Sequence, residues 1–465
     1  MGTTEHYKFL PIRDAMKSIN QKVNVMGIIF EFGFPKRTRG TDYCCTLKII
    51  DESHHQTGMS VNIFAETSEG LPHVAANGDI IQLSNVVVKT HGGEVNAVFN
   101  KKFSSFALYS GKDTDDFVPY QVSSKFHRRD MDKNFVVKLR KWLVNFHLFE
   151  DSSNFPMLRE IKEGDCCNLA CKILHFCEAV NDEWMFFVWD GTDAPPNSIS
   201  AKVEDEMHNP FPLHLEPTPL PRELLCTFPT VGSILRITYD QGIEKNHTQI
   251  LHIDKWVKIV NMRLEVHAGL WRGVLTPYTK LRFTPNDDCL VLERQRWLST
   301  LLARKITENI RSVIRLCFPF TETNHDNVLP VTLMDVLTHS EVTAKFRCTA
   351  RVVAATPWPA EKFFSPIGAY RMRLTLEDPT ARIHAYVYAE DGVTLFEGKS
   401  DNNILTDKMN ILLGVTVCDN GTVVKRALRN PPWVHLCLKS FYTSKHDVWG
   451  SRRYRIFDTK IVGGA

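Results

Sequence analysis

"TLKIIDES", residues 46–53, is an apolar strand that runs into an acidic turn. The same step returns as "MFFVWDGT" at 185–192 and "RLTLEDPT" at 373–380. These copies lie too far apart for a solenoid repeat. One copy in each part of a 465-residue chain instead predicts three versions of one β module. Strand starts of the form Gly-polar-Ile, "NGDIIQL" at 77–83 and "VGSILRI" at 231–237, read as a second shared step, and "EDPTARIHAYVYAEDG" at 377–392 as another strand-turn-strand unit.

Around the first copy the strands can be ordered. "KVNVMGIIFEF" (22–32) is a long β run with Gly27 at its middle, a residue that in a strand marks a bend or bulge. "CCTLKIID" (44–51) and "MSVNIFAE" (59–66) follow, then the short "LPHVAA" (71–76) and the strand "DIIQLSNVVV" (79–88). "KFSSFALY" (102–109) is expected to close the set. Five short strands with a small insertion after the third suit a closed Greek-key barrel of the OB type. The expected class is therefore mainly β: three OB-fold modules in tandem with connecting helices. The expected segments are a first barrel with an amphipathic helix over 1–149, a second barrel over 150–285, a helical connector over 286–330 and a third barrel over 331–465.

In "RRDMDKNFVVKLRKWLVNFHLF" (128–149), Met131, Phe135, Leu139, Leu143 and Phe146 recur at helical spacing. This predicts a helix on a barrel end, with Lys138, Arg140 and Lys141 on a solvated face. The Pro-rich "NPFPLHLEPTPLPREL" (209–224) reads as loop or edge, because Pro cannot donate to a ladder. The connector contains the helical "LERQRWLSTLLARKITENI" (292–310).

Hydrophobic residues make up 43% and charged residues 23%, as in an ordinary globular chain. A net charge of +3 means that any nucleic-acid partner must meet local basic patches, not a global field. The first residues have no apolar h-region, His6 stands where a myristoylation signal needs Ser or Thr, and no apolar run reaches ~20 residues. The expectation is an intracellular protein with no membrane contact. Twelve cysteines without a C-x-x-C spacing read as buried free thiols.

The chain carries no P-loop, G-x-G-x-x-G after a strand, G-x-S-x-G or H-E-x-x-H. His54-His55 lacks further ligands at metal spacing. Asp190, Asp193 and Asp378 read as turn residues bonding their own backbone. No enzyme activity, metal or cofactor is expected. OB barrels without such motifs hold single strands, by stacking aromatics on bases and pairing Lys and Arg with phosphates. "FPKRTRGTDYC" (34–44) offers all the parts. Lys36, Arg37 and Arg39 can meet phosphates, Tyr43, Phe32 and Phe34 can stack, and Asp42 can accept from a guanine edge. A solvated basic turn with Tyr43 packed on the barrel is the competing reading. Strand alternation points Phe64 outward if Val61 and Ile63 face the core; the opposite register buries it. The second module offers His267, Trp271, Arg272 and Tyr278, while Trp189 reads as core.

"VNVMGIIFEFGFPKRTRGTDYCCTLKIID" (23–51), "NGDIIQL", "FVWDGT" (187–192), "VGSILRI" and "LEVHAG" (264–269) resemble the protection-of-telomeres family. So do "YRMRLTLEDPTARIHAYVY" (370–388), "VHLCLKSFY" (434–442) and "RYRIFDTKIV" (453–462). The resemblance covers most of the chain in order. It implies two N-terminal OB folds that bind the single-stranded G-rich telomere overhang, and a third, residues 331–465, that docks a telomere-associated protein. The short third module, without an inserted zinc-bearing domain, is similar to the plant branch. Nuclear telomeres are the implied location, and control of telomerase access and end protection the implied role.

By the same resemblance Thr41 and Asp42 match a base-reading pair, Phe64 a stacking aromatic and His267 a residue of the second groove. Departures are Glu31 and Gly33 for an aromatic and a lysine, Asn85 and His91 for arginine and tyrosine, and Cys166 for a stacking tyrosine. His91 stays among the candidate DNA contacts. Glu31 is expected to repel phosphate, and the Pro-rich insertion replaces part of the second fold's clamp. These departures imply weakened binding. They also fit the alternative role seen in some plant members, an accessory subunit of the telomerase ribonucleoprotein that works through protein or RNA contacts.

Overall fold

The computed structural model describes residues 7–146, 154–178, 184–197, 213–240, 251–296, 320–416 and 428–462, with short breaks at 77, 113, 268, 283, 285–287, 326–327, 359 and 399–400. Three five-stranded rings account for most of the strands. The first is built from Lys22–Gly33, Tyr43–Asp51, His54–Ala65, Ile80–His91 and Glu94–Val98. The first strand pairs with both the second and the fourth, and the third pairs parallel with the fifth, which closes the ring. The second ring repeats this order with Cys166–Glu178, Trp184–Trp189, Leu235–Tyr239, Trp256–His267 and Leu270–Leu275. The third, Lys345–Thr356, Arg371–Glu377, Arg382–Tyr388, Trp433–Tyr442 and Arg452–Phe457, is again closed. One parallel pair among antiparallel neighbours is the OB arrangement, so the fold is mainly β with three OB barrels.

The acidic turns that marked the repeat perform one job three times. In the first barrel Asp51 Oδ1 accepts the Ser53 and His54 amides, while Oδ2 accepts the amide of Ile12, the first residue of helix Ile12–Ala15. In the second, Asp190 accepts Thr192 N–H on one oxygen and Leu158 N–H on the other. In the third, Asp378 accepts the amides of Thr380 and Ala381 and that of Leu333, which opens helix Leu333–Thr338. Each carboxylate ties a turn to the start of a preceding short helix, satisfying helix-end donors that would otherwise be orphaned. Asp193 differs: it accepts from Trp433 Nε1 of the third barrel at 2.9 Å.

Three details of the expected strands change. The first barrel's fifth strand is Glu94–Val98, not "KFSSFALY". Gly92 and Gly93, at φ +60° and +86°, let the chain reverse in two residues between His91 and Glu94. Ser105–Tyr109 instead lines the first half of strand Ile80–His91. The Gly-polar-Ile starts are not equivalent either, since "NGDIIQL" opens a fourth strand and "VGSILRI" a third. Gly27 allows a close approach: a Cβ there would sit 3.0 Å from the carbonyl oxygen of Ile50.

Helix Asp132–Val144 covers the first barrel's end, where Val136 and Leu139 join Phe9, Met26, Ile28 and Phe30 in a core of their own. Lys138 and Lys141 are exposed as expected, but Arg140 is not. Its guanidinium is buried and donates to the carbonyls of Ser110 and Thr114. Residues 289–296 are helical; the rest of the connector helix, like residues 209–212 of the Pro-rich stretch, falls outside the described residues.

The described cysteines are free, but Cys166, Cys226 and Cys289 are exposed rather than buried. Trp189 is core, as expected. No helix among the described residues is long and apolar enough to cross a membrane.

The first two barrels share a sheet. Lys280–Arg282 pairs on one edge with Lys258–Val260 of the second barrel and on the other with Glu31–Gly33 of the first. Between the second and third barrels side chains add to a backbone bond from the Arg382 N–H to the Leu213 carbonyl at 2.8 Å. Arg351 donates to the Ala194 carbonyl and to Ser233 Oγ and pairs with Glu377, which also receives Arg382. Burial pushes the Glu377 carboxyl up, but the two guanidiniums outweigh it and bring it down to about 2.

Candidate nucleic-acid interface

Ligands of OB barrels lie over the second and third strands, between the loops that join strands one to two and four to five. In the first barrel the exposed side of these strands carries Thr46 and Asn62, hydrogen-bonded at 3.1 Å, with Cys44 and Phe64 paired beside them. Val61 and Ile63 are fully buried, so alternation turns the half-buried Phe64 outward.

The loop 34–42 forms one wall. Its short strand Lys36–Arg37 pairs with Tyr43–Cys44, and Thr38 closes the tip by donating its amide and hydroxyl to the Asp42 carbonyl. Arg37, Arg39 and Thr41 are exposed. Asp42 is half-buried and its carboxylate holds Lys101 Nζ at 3.1 Å; the same ammonium reaches Glu66 at 3.2 Å. Tyr43 is half-buried and packs on the core, so the competing reading of Tyr43 holds while the basic residues stay open. Burial pushes the Cys44 thiol up, against the pull of the Lys36 charge beside it. His91 stands exposed at the hairpin between strands four and five.

Phe32 is not a stacking residue. It is 2% exposed inside the barrel, edge-on to Phe34, which is buried too. A bulge between Ile29 and Glu31 flips the alternation: Val23, Val25 and Ile29 face the barrel core before it, Phe32 and Phe34 after it.

The corresponding face of the second barrel is closed. Met185 and Phe187 point out of that barrel, yet Phe187 is fully buried. Leu220, Leu225 and Phe228, from the end of the Pro-rich stretch and just beyond, cover them, with Phe228 5.5 Å ring to ring from Phe187. The third barrel completes the cover: Arg236 donates to the carbonyls of Pro379 and Thr380, and Arg382 to that of Gly269, in the turn between strands four and five. On this face the second barrel is thus covered and presents no open groove. Trp271 gives its indole N–H to the Pro195 carbonyl at 2.7 Å, and Arg272 pairs with Glu265 at 2.7 Å. His267 remains exposed, but the structure does not bring it together with the first-barrel residues. Among the described residues no cluster of His, Cys, Asp or Glu is placed to hold a metal.

Comparison with known proteins agrees with this geometry. Residues 3–153 match the family model described as "Telomeric single stranded DNA binding POT1/CDC13", and residues 316–447 match "POT1A-like, OB fold domain". Protection of telomeres protein 1b of Arabidopsis thaliana is 41% identical over 459 residues, covering 98% of each chain. The chain belongs to the protection-of-telomeres family. Protection of telomeres protein 1a of the same plant is 38% identical over 98% of this chain and 99% of its own. The human Protection of telomeres protein 1 is 26% identical over 39% of this chain and 28% of its own.

Glu31 and Gly33 have a structural role of their own at the seam. Glu31 is buried and does not face an open groove. Arg282 binds it at 2.9 Å through Nε, and Lys280 and Lys48 lie 3.5 and 3.8 Å away. The expected repulsion of phosphate is corrected, since three cations surround one carboxylate. This position of the first strand fastens the second barrel. Gly33 pairs with Lys280 across the same seam, and a Cβ there would meet the Thr46 carbonyl of the first barrel's second strand at 3.0 Å. Sequence patterns could not show Lys48, Lys101, Lys280 and Arg282 at this site, because local periodicity does not reveal which segments pair, least of all segments 249 and 251 residues apart.

Proposed function

We propose that this family member holds single-stranded, G-rich telomeric DNA in the groove of its first barrel and so protects chromosome ends in the nucleus. The observation that carries the reading is the placement of Asp42 and Phe64 on one open barrel face beside Lys36, Arg37 and Arg39. Phe64 supplies the stack, the three cations neutralise phosphate, and Asp42 and Thr41 accept from a guanine edge once Lys101 swings to the backbone. The test is a gel shift with the G-rich repeat against its complement. Preference for the G-rich strand, with affinity falling as salt rises at a slope of about −0.7 per phosphate contact, supports it. Equal weak binding of both strands rejects it.

A second role, association with the telomerase ribonucleoprotein and control of its access to the end, is favoured by the closed face of the second barrel, which leaves few surfaces for DNA. The third barrel, over residues 331–465, is proposed to dock the protein partner; Trp358 and Trp449 there are 42% and 52% exposed. Recovery of telomerase activity with the tagged protein should survive Asp42→Ala and fall with Trp358→Ala or Trp449→Ala. Unchanged recovery in both tryptophan variants removes those residues from the docking surface.

A further inference from the structure

Resting on the reading of the first barrel as a single-strand groove, we propose that the bound strand leaves this groove across the seam between the barrels and stacks on Tyr278. Tyr278 is 69% exposed, in the turn between strands Leu270–Leu275 and Lys280–Arg282. Large aromatic rings are rarely left this open, and this one is not bare surface. Lys36 Nζ lies 4.3 Å from its ring centroid, although Lys36 belongs to the first barrel's loop and Tyr278 to the second barrel.

The ring continues the groove. Lys36 is in register with Cys44, and Cys44 with Phe64, so Phe64 and Lys36 occupy one line across three adjacent strands. At about 4.8 Å per strand the backbones of Phe64 and Lys36 are about 10 Å apart, and Tyr278 comes next beyond the Lys36 ammonium. The charge follows the same course. Lys48, Lys280 and Arg282 gather against the single carboxylate of Glu31, leaving two positive charges in excess along the seam, and Lys36 adds a third beside the ring. An exposed ring in a basic cleft, in line with a half-buried ring on the open face, is what a base and its phosphate require. The second barrel's own strand face offers no such path, because Met185 and Phe187 lie under the chain's own covering segment. The seam thus takes over the second barrel's share of the contact.

The experiment is equilibrium anisotropy of the full chain with G-rich telomere-repeat oligonucleotides, lengthened stepwise at one end and separately at the other. The wild-type chain is expected to gain affinity when one of the two extensions becomes long enough to cross the seam. Tyr278→Ala should remove that gain, about 5- to 150-fold for one lost stack, while binding the short oligonucleotide as the wild type does. Tyr278→Phe, which keeps the ring, should keep the gain. Because Tyr278 lies on the surface, its variants fold, and a matching far-ultraviolet spectrum checks this. Equal affinity of wild type and Tyr278→Ala at every length overturns the seam path and leaves the first-barrel reading standing. A wild-type chain that binds no length better than its complement overturns both.

Discussion

Phe34, at the root of the first barrel's basic loop, meets Tyr239 of the second barrel edge-to-face, with ring centroids 5.9 Å apart. The loop that carries Lys36, Arg37, Arg39 and Asp42 is thereby held from behind by the neighbouring barrel. Phe34→Ala should cost about 3–5 kcal/mol of stability, the range for a large aromatic removed from a core. It should also weaken DNA binding although Phe34 is buried away from any ligand. Calorimetry with anisotropy on the same samples checks both, and Phe34→Leu should recover most of each loss.

Phe64→Ala should act the other way round. The side chain is half-buried on the open face, so the melting temperature should move little. One lost stack is worth about 1–3 kcal/mol, or roughly 5- to 150-fold in affinity. A large drop in melting temperature with unchanged affinity would return Phe64 to a packing role.

Asp42 should confer base choice more than affinity. Replacing guanine by inosine removes the exocyclic amino group while leaving the stack. The wild-type chain should lose affinity for the inosine strand, and Asp42→Ala should bind the two strands equally. If inosine weakens the wild type and Asp42→Ala alike, another group reads the base.

Glu31 should make the seam sensitive to acid. Burial raises its carboxyl, but Arg282, Lys48 and Lys280 together hold it below the ordinary value of 4.5. A carboxyl with a depressed folded-state pKa contributes stability that is complete above the unfolded value and is lost as pH falls through the folded one. Hydrogen exchange at residues 280–282 should therefore quicken, relative to the global rate, only below about pH 4.5. Glu31→Gln should exchange faster there at neutral pH and lack the acid step.

Trp271→Phe separates packing from recognition in the second barrel. A smaller aromatic ring stays, but the hydrogen bond to the Pro195 carbonyl is lost, worth about 0.5–1.5 kcal/mol. Stability should fall by that amount and affinity for a short G-rich strand should not change. A selective loss of affinity would mean that the indole reaches DNA after all.

The barrels were legible where the signal is local. Asp51, Asp190 and Asp378 announce the repeat because each ends an apolar strand, and the parity of Val61, Ile63 and Phe64 gives the right face. What stayed hidden depends on non-local events. The bulge after Ile29 reverses the parity of everything downstream, so Phe32, which reads as an exposed stacker, is core. The strand Glu94–Val98 is short and half polar, so only the double glycine before it betrays it. Trp271 and Arg272 have the composition of a binding surface, but the Trp271 indole N–H goes to Pro195 and one terminal nitrogen of Arg272 goes to Glu265.

The strand Lys280–Arg282, paired on both edges, also decides how the molecule bears a load. A DNA end drawn through the groove pulls on strands whose neighbours continue, without a gap, into the next barrel. The tension is then borne by hydrogen bonds on both edges of one strand, reinforced by the Glu31–Arg282 pair. The first two barrels should therefore yield in a single step under an optical trap, where beads on a flexible string would yield in two.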